Sequence, residues 1–197
     1  MAAKQDIIHI LHVDDKPELA ELTAEFLRRE DDRISTDTAT SASEGLQRVT
    51  DNRFDCIVSD YDLPGQNGIE FLKTVRQKHP DLPFILYTGK GSEEVASDAI
   101  AAGATDYIQK KAGTEQYELL ANRIQNAVEQ SNSKRIQQRA EQYFEAAGNI
   151  MLVLNTDGTV ARINERGCDL LAMSAQNSSV RTGSILFHER LRRKLQT

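Results

Sequence analysis

The sequence predicts an α/β fold: a doubly wound, five-stranded parallel sheet with helices on both faces. Five short apolar runs alternate with amphipathic segments through the first 130 residues. Apolar runs of this length between turn signals are typical of strands buried on both faces. Each strand is followed by a helix, and such units join parallel strands through right-handed crossovers. A helical segment and a smaller α+β module are predicted to follow the sheet.

The first two strand-helix units carry helix-start signals. Strands are predicted over residues 7–13 and 34–39. Between them, Lys16-Pro17 puts proline where a helix begins. Helical spacing then continues through four apolar residues, Leu19, Leu22, Phe26 and Leu27. Ser41-Ala42-Ser43-Glu44 has the pattern of a capping box and predicts a second helix to about Thr50.

The remaining three units are bounded by turn formers. A strand over 56–60 is followed by a glycine-rich loop, 63–68, and then by a helix that ends by residue 79. Strands over 84–88 and 106–109 precede helices that begin at Ser92 and Thr114. The last helix places its apolar side chains at Leu119, Leu120, Ile124, Ala127 and Val128.

The pattern changes after about residue 130. Residues 131–147 are polar and lack glycine and proline, which predicts a helical linker. Short strands over 150–154 and 160–163, joined through Asp157-Gly158, predict a hairpin that a helix follows. We therefore expect a domain over 1–130, a linker over 131–147, and a module over 148–197 that is too small to bury a core alone.

Composition limits the class of protein. The chain has 197 residues, 39% hydrophobic and 27% charged, without an apolar run of about 20 residues or a signal-peptide core. These features predict a cytoplasmic protein without a membrane partner. Residues 1–130 carry 24 acidic and 14 basic side chains, whereas residues 131–197 carry 6 and 10. The acidic first part argues against a nucleic-acid partner there.

Reactive polar residues follow four of the predicted strands. Asp14 and Asp15 follow the first strand, Asp60 ends the third, Thr88 ends the fourth and Lys110 follows the fifth. Because the carboxyl ends of parallel strands meet at one edge of a sheet, these groups are predicted to converge there. Three carboxylates, a hydroxyl and an ammonium group suit a divalent cation and a transferred phosphoryl group.

The arrangement resembles the receiver domain of two-component response regulators, which implies a flavodoxin-like fold for the first 130 residues. The order, spacing and placement of four segments carry the resemblance. They are Asp14-Asp15, Ser59-Asp60-Tyr61-Asp62-Leu63-Pro64-Gly65-Gln66-Asn67-Gly68, Tyr87-Thr88-Gly89 and Tyr107-Ile108-Gln109-Lys110.

The resemblance implies a role for each matching residue. Asp60 would accept the phosphoryl group, and Thr88 and Lys110 would contact its oxygens. Mg²⁺ would be bound by Asp15 and Asp60 directly, by Asp14 through water, and by the backbone carbonyl of Asp62. Reorientation of Thr88 would let Tyr107 turn inward, and this coupled movement would switch the surface.

The resemblance also implies partners. The phosphoryl group would come from a sensor histidine kinase or a phosphotransfer protein, and the protein would catalyse only its own phosphoryl transfer and dephosphorylation. A homodimer through the face spanning Ser92–Val128, or through the linker helix, is a further expectation.

Two positions depart from the family pattern. The family usually has proline after the strand-five lysine, preceded by a cis peptide bond, whereas Lys111 follows Lys110 here. A cis bond before a residue other than proline costs about 3 kcal/mol. Either lysine is then able to reach the phosphoryl group, although Lys110 has the expected spacing from Tyr107. Gly89 stands where alanine or serine is common, which leaves the pocket more open.

Residues 140–190 resemble the beginning of a PAS sensor domain. The resemblance rests on the hairpin through Asp157-Gly158 and on Arg162-Ile163-Asn164-Glu165-Arg166-Gly167-Cys168-Asp169-Leu170-Leu171. Ala172-Met173 replaces the commoner glycine-aromatic pair, and the later strands that would close a PAS pocket are absent. No ligand site is therefore predicted there.

Two alternatives from other classes remain open. Asp60-Tyr61-Asp62 supplies the Asp-x-Asp motif of haloacid dehalogenase-type phosphatases, but in that family the metal-binding acidic pair follows the lysine, and here it comes first. The other alternative is a scaffold that binds partners without phosphorylation.

Overall fold

The computed structural model of the chain describes residues 7–89 and 91–176. The chain divides between Ser133 and Lys134 into two compact units. The first unit contains the predicted parallel sheet, and the second contains a short hairpin and a helix.

The five-stranded parallel sheet is confirmed. Its strands are β1 (Ile8–Val13), β2 (Ile34–Ala39), β3 (Cys56–Ser59), β4 (Phe84–Thr88) and β5 (Asp106–Gln109). Their order across the sheet is β2-β1-β3-β4-β5, and every neighbouring pair is parallel. The chain winds outward in one direction from β1 and in the other from β3. The crevice at the carboxyl ends of these two strands is therefore the expected binding position in a sheet of this kind.

Helices cover both faces of the sheet. They are α1 (Pro17–Glu30), α2 (Ala42–Asp51), α3 (Gly68–Lys78), α4 (Glu93–Ala101) and α5 (Glu115–Ala146). One apolar cluster joins the sheet to Leu27 of α1 and to Leu120 and Ile124 of α5. A second cluster joins the opposite face to Phe71 and Leu72 of α3 and to residues of α2 and α4. The sheet is thus buried on both faces, which explains its nearly continuous apolar strands.

The apolar stripes predicted for α1 and α5 are partly wrong. Leu22 and Leu119 are each 43% exposed, and α1 buries Ala20, Thr23, Ala24 and Leu27. Small side chains let a helix approach the sheet closely. The face of α1 that packs inward carries three small side chains and Leu27, and Leu22 lies on a neighbouring stripe.

Capping interactions fix two helix starts. The Asn67 side chain accepts from the backbone N–H of Glu70, 2.9 Å away, and the Glu70 carboxylate accepts from the Asn67 N–H at 3.0 Å, which completes a capping box at α3. At α2 the predicted box is only half formed. Ser41 accepts from the Glu44 N–H, but the Glu44 carboxylate accepts from the Thr40 N–H instead of that of Ser41.

The second unit contains an antiparallel hairpin. Its strands are β6 (Leu152–Leu154) and β7 (Val160–Ile163), and Gly158 takes a positive φ of 80° in the turn. Helix α6 (Glu165–Gln176) follows, and Asn164 before it is fully buried. The remainder of the module predicted over 148–197, from residue 177 onward, lies outside the described residues. Within the described ranges, no helix is long and apolar enough to cross a membrane.

Candidate functional site

Three of the predicted groups meet at the carboxyl edge of the sheet. The Lys110 Nζ atom lies 2.6 Å from Asp14 Oδ2 and 2.7 Å from Asp60 Oδ1. Asp14 is 1% exposed and Asp60 is 7% exposed. The two carboxylates therefore share one ammonium group in a largely buried position, where water screens the attraction between opposite charges least.

The sheet itself places these three residues. Each extends a strand by one residue, because its backbone N–H still donates to the neighbouring strand. The acceptors are the carbonyls of Ala39 for Asp14 (3.0 Å), Val13 for Asp60 (2.8 Å) and Thr88 for Lys110 (2.8 Å). The backbone is thereby fixed up to the point at which each reactive side chain leaves it.

Backbone amides orient both carboxylates. Asp14 Oδ1 accepts from the Lys16 N–H at 3.0 Å, and Asp60 Oδ2 accepts from the Asp62 N–H at 2.7 Å. Each carboxylate thus uses one oxygen for the following turn and the other for Lys110. These Asx-type turns hold the carboxylates without using more cations.

The other predicted residues lie around this cluster. Thr88 is buried at the last position of β4, and Tyr107 is partly buried on β5. Asp15 and Asp62 are exposed. Among the residues that the structure describes, no three His, Cys, Asp or Glu side chains are grouped so that they could hold a metal ion.

The loop after β5 determines which lysine reaches the acidic pair. Lys110 does so, whereas Lys111 is exposed. Every peptide bond among the described residues is trans, including the one between these lysines.

Sequence reasoning missed a buried histidine below the cluster. His12 lies two residues before Asp14, on the same face of β1, and is fully buried. Burial lowers the pKa of His12 to about 4, an effect opposed by the Asp14 charge and reinforced by that of Lys110. Neither ring nitrogen has a hydrogen-bond partner of ordinary geometry among the described residues. The two-residue spacing from Asp14 was the available signal.

Sequence reasoning also assigned no role of its own to Tyr87. Its ring centroid lies 5.3 Å from Lys110 Nζ, and its hydroxyl donates to Gln116 Oε1 at 2.6 Å. Burial raises the pKa of Tyr87, and the nearby Tyr117 and Asp14 charges raise it further. The phenol therefore remains a neutral donor beneath the cluster.

The loop after β3 packs directly on the backbone of Asp60. A Cβ atom built on Gly68 would lie 2.3 Å from the Asp60 carbonyl oxygen and 2.8 Å from Leu86 Cδ1. The Gly68 N–H also donates to the Tyr61 carbonyl at 2.8 Å. The start of α3 is thus held against the strand end that presents Asp60.

Comparison with known protein families decides the class of this domain. The sequence model of the response regulator receiver domain matches residues 10–123, which run from within β1 into α5 and include every predicted site residue. The chain belongs to this family. As a receiver domain, it functions in two-component phosphorelay signalling.

Two relatives that match this chain are themselves named as regulatory proteins. The nitrogen assimilation regulatory protein NtrX of Azorhizobium caulinodans is 26% identical over 181 residues, 91% of this chain and 39% of the relative. The probable transcriptional regulatory protein TcrX of Mycobacterium tuberculosis is 35% identical over 103 residues, 52% of this chain and 43% of the relative. The chain thus spans less than half the length of these relatives. Because one of them is named a transcriptional regulator, they give no support to the expected lack of a nucleic-acid partner.

Solved receiver structures have the same fold. A CheY-like receiver from Methanospirillum hungatei superposes with a TM-score of 0.59 at 26% identity, covering 66% of this chain and 99% of that one. TrrA from Thermotoga maritima, solved in complex with Mg²⁺-BeF, has a TM-score of 0.53 at 28% identity over 60% of this chain and 99% of that one. The expected PAS-like module finds no support in the family match, which ends at residue 123.

Proposed function

We propose that this receiver domain accepts a phosphoryl group on Asp60. The observation that carries the proposal is the Lys110 ammonium group held between Asp14 and Asp60, 2.6 and 2.7 Å from their oxygens. A carboxylate is a weak nucleophile towards an anionic phosphoryl group unless positive charge offsets the charge on the phosphoryl oxygens. Lys110 supplies that charge at the nucleophile itself.

In the proposed reaction, an Asp60 carboxylate oxygen attacks the phosphorus of a phosphohistidine. The O–P bond forms as the P–N bond breaks, and the histidine of the donor leaves with its electron pair. Lys110 remains within reach of the transferred group, and the buried Thr88 hydroxyl at the end of β4 contacts a second phosphoryl oxygen. Attack by water on the same phosphorus later releases phosphate and restores the Asp60 carboxylate.

The donor set fits Mg²⁺. This ion prefers oxygen ligands, and Asp14, Asp15, Asp60 and the Asp62 carbonyl supply only oxygens. Asp14 and Asp60 already face the shared Lys110 ammonium group, and Asp15, the next residue after Asp14, has an exposed side chain. When bound, the ion would neutralise phosphoryl oxygens alongside Lys110.

The phosphodonor in this proposal is a sensor histidine kinase or a phosphotransfer protein, and the domain catalyses only its own phosphorylation and dephosphorylation. Phosphorylation would reorient Thr88 and Tyr107 and change the surface formed by α4, β5 and the first part of α5. Ile100 and Leu119 are 54% and 43% exposed within the range Ser92–Val128, which suits a homodimer through this face, and Ile136 is exposed on the later part of α5.

For the second unit we propose a small interaction module that resembles the start of a PAS domain. The supports for this are the β6–β7 hairpin and the buried Asn164 at the start of α6. The resemblance brings no ligand or cofactor with it.

Intact-mass measurement tests the phosphoacceptor. After incubation with Mg²⁺ and acetyl phosphate, the wild-type chain should gain one phosphoryl group and Asp60→Asn should gain none. Asp37→Asn is the matched control, because Asp37 is an exposed carboxylate on β2, and it should be modified as in wild type. Absence of any adduct without consumption of the donor would favour the scaffold. Turnover of many phosphate esters without an adduct would favour the phosphatase.

A further inference from the structure

The loop between β5 and α5 is held by one side chain of the following helix. Gln116 Oε1 accepts from the Lys111 N–H at 3.0 Å, and Gln116 Nε2 donates to the Gly113 carbonyl at 2.8 Å. Gln116 therefore bonds both the first and the later part of the loop that begins at Lys110. Gly113 takes a positive φ of 94° within this loop, a conformation that suits glycine.

A buried tyrosine fixes Gln116 in turn. The Tyr87 hydroxyl donates to the same Gln116 Oε1 atom at 2.6 Å, so this oxygen accepts two hydrogen bonds and its orientation is determined. Tyr87 is only 2% exposed, and it belongs to the apolar cluster that joins one face of the sheet to α1 and α5. The phenol thus anchors the amide to the core.

The same tyrosine contacts the reactive lysine. Lys110 Nζ lies 5.3 Å from the Tyr87 ring centroid, within the range of a cation–π interaction. Tyr87 therefore touches the Lys110 ammonium through its ring and holds the loop after Lys110 through its hydroxyl. The Lys111 N–H that completes this arrangement is a donor that only a residue other than proline supplies.

We propose that Tyr87 and Gln116 are positioning residues, which hold Lys110 at the point where it meets Asp14 and Asp60 during phosphoryl transfer. This inference rests on the proposed function of Asp60. The ammonium group has to stay within hydrogen-bond distance of two carboxylates and of the incoming phosphoryl group. A displacement of about 1 Å is enough to lower the rate of a positioned reaction substantially.

The test compares initial phosphorylation rates over a range of acetyl phosphate concentrations at fixed Mg²⁺. Gln116→Ala should lower the maximal rate about tenfold and change the half-saturating donor concentration less than twofold, because Lys110 acts on the transferred group. Tyr87→Phe keeps the ring and removes the hydroxyl, and it should lower the maximal rate about threefold. The double variant should be no slower than Gln116→Ala alone, because both substitutions break the same hydrogen bond between Tyr87 and Gln116.

A matched control separates positioning from general stability. Gln125 lies on the same helix as Gln116 and donates to Asp31 Oδ2 at 2.7 Å, and Asp31 lies between the end of α1 and the start of β2, at the sheet edge opposite the site. Gln125→Ala should keep a maximal rate within twofold of wild type, even if thermal melting shows that it loses as much stability as Gln116→Ala.

Three results would overturn the inference while the proposed function stands: a wild-type rate in Gln116→Ala, an equal loss in Gln125→Ala, or a raised half-saturating concentration with an unchanged maximal rate. A wild-type chain that takes up no phosphoryl group would instead overturn the proposed function and this inference with it.

Discussion

At the scale of single residues, the candidate site concentrates charge at the end of three strands. Asp14 and Asp60 are both largely buried, and a cation between two neighbouring carboxylates offsets their mutual repulsion. Lys110 is that cation, and its side chain is only 16% exposed. Two carboxylates and one ammonium group leave one negative charge uncompensated. A divalent cation would offset this charge, which suits the proposed phosphoryl transfer.

His12 gives this site a pH-dependent contribution to folding. Its folded-state pKa is about 4 against an ordinary value of 6.5, mainly because of burial, with Asp14 and Lys110 as the charged neighbours. As pH falls below 6.5, the unfolded chain binds a proton that the folded chain does not. Stability contributed by neutral His12 is therefore complete above pH 6.5 and decreases as pH falls towards 4.

We expect this effect to disappear in His12→Leu. Between pH 7.5 and 5, the wild-type free energy of unfolding should fall by about 2 kcal/mol more than that of the variant. Urea denaturation at several pH values measures the difference. His9→Leu, at an exposed position of the same strand, should show the wild-type dependence of the free energy of unfolding on pH. Parallel slopes for wild type and His12→Leu would contradict the prediction.

At the scale of elements, the start of α3 determines where the Asp60 backbone lies. The Asn67–Glu70 capping box fixes the first turn of the helix, and Gly68 brings that turn against the Asp60 carbonyl. The approach is possible only because glycine lacks a Cβ atom. The loop after β3 thus helps to hold the Asp60 backbone in position, and it does so through backbone contacts.

Gly68→Ala should therefore destabilise the domain and slow phosphorylation of Asp60. The new Cβ would lie 2.3 Å from a backbone oxygen, which cannot move as a flexible side chain can. We expect a loss of about 1–3 kcal/mol in the free energy of unfolding, measured in urea.

Gly89→Ala is the control for this prediction. A Cβ atom added to Gly89 would meet no atom of the described residues within 4 Å, and the backbone there has no positive φ. The free energy of unfolding of this variant should therefore stay within about 0.5 kcal/mol of wild type. Equal stability of the two alanine variants would show that the close approach at Gly68 is unimportant.

At the scale of the whole molecule, each of the two units has its own internal contacts. Asp14, Asp60 and Lys110 all belong to the first unit. In the second, the buried Asn164 side chain accepts from the Met151 and Gly167 N–H groups and donates to two backbone carbonyls, those of Ala147 and Asn149. One amide thus satisfies four backbone groups that would otherwise need other partners.

Asn164→Ala should weaken the second unit and leave the first one functional. Losing these bonds should cost about 2 kcal/mol or more, seen as faster amide hydrogen exchange in β6 and β7. The rate of phosphorylation by acetyl phosphate should stay within twofold of wild type. Asn155→Ala removes an exposed bond to Thr159 and should change neither readout. Slower phosphorylation in Asn164→Ala would show that the units depend on each other.

The sequence by itself determined the parallel sheet, the order of its elements and the convergence of Asp14, Asp60 and Lys110. These follow from local signals: apolar runs, helix caps, and the rule that parallel strands end at one edge. The choice of Lys110 over Lys111, left open by the sequence, needed the structure.

Only the tertiary structure decided how this edge is supported. The hydrogen bond between Tyr87 and Gln116 joins residues that are distant in the chain, and the burial of His12 depends on elements packed around β1. Which face of α1 packs inward depends on how that helix is rotated against the sheet. No local pattern encodes such contacts, because packing of small side chains and the pairing of buried polar groups are settled between elements, not within them.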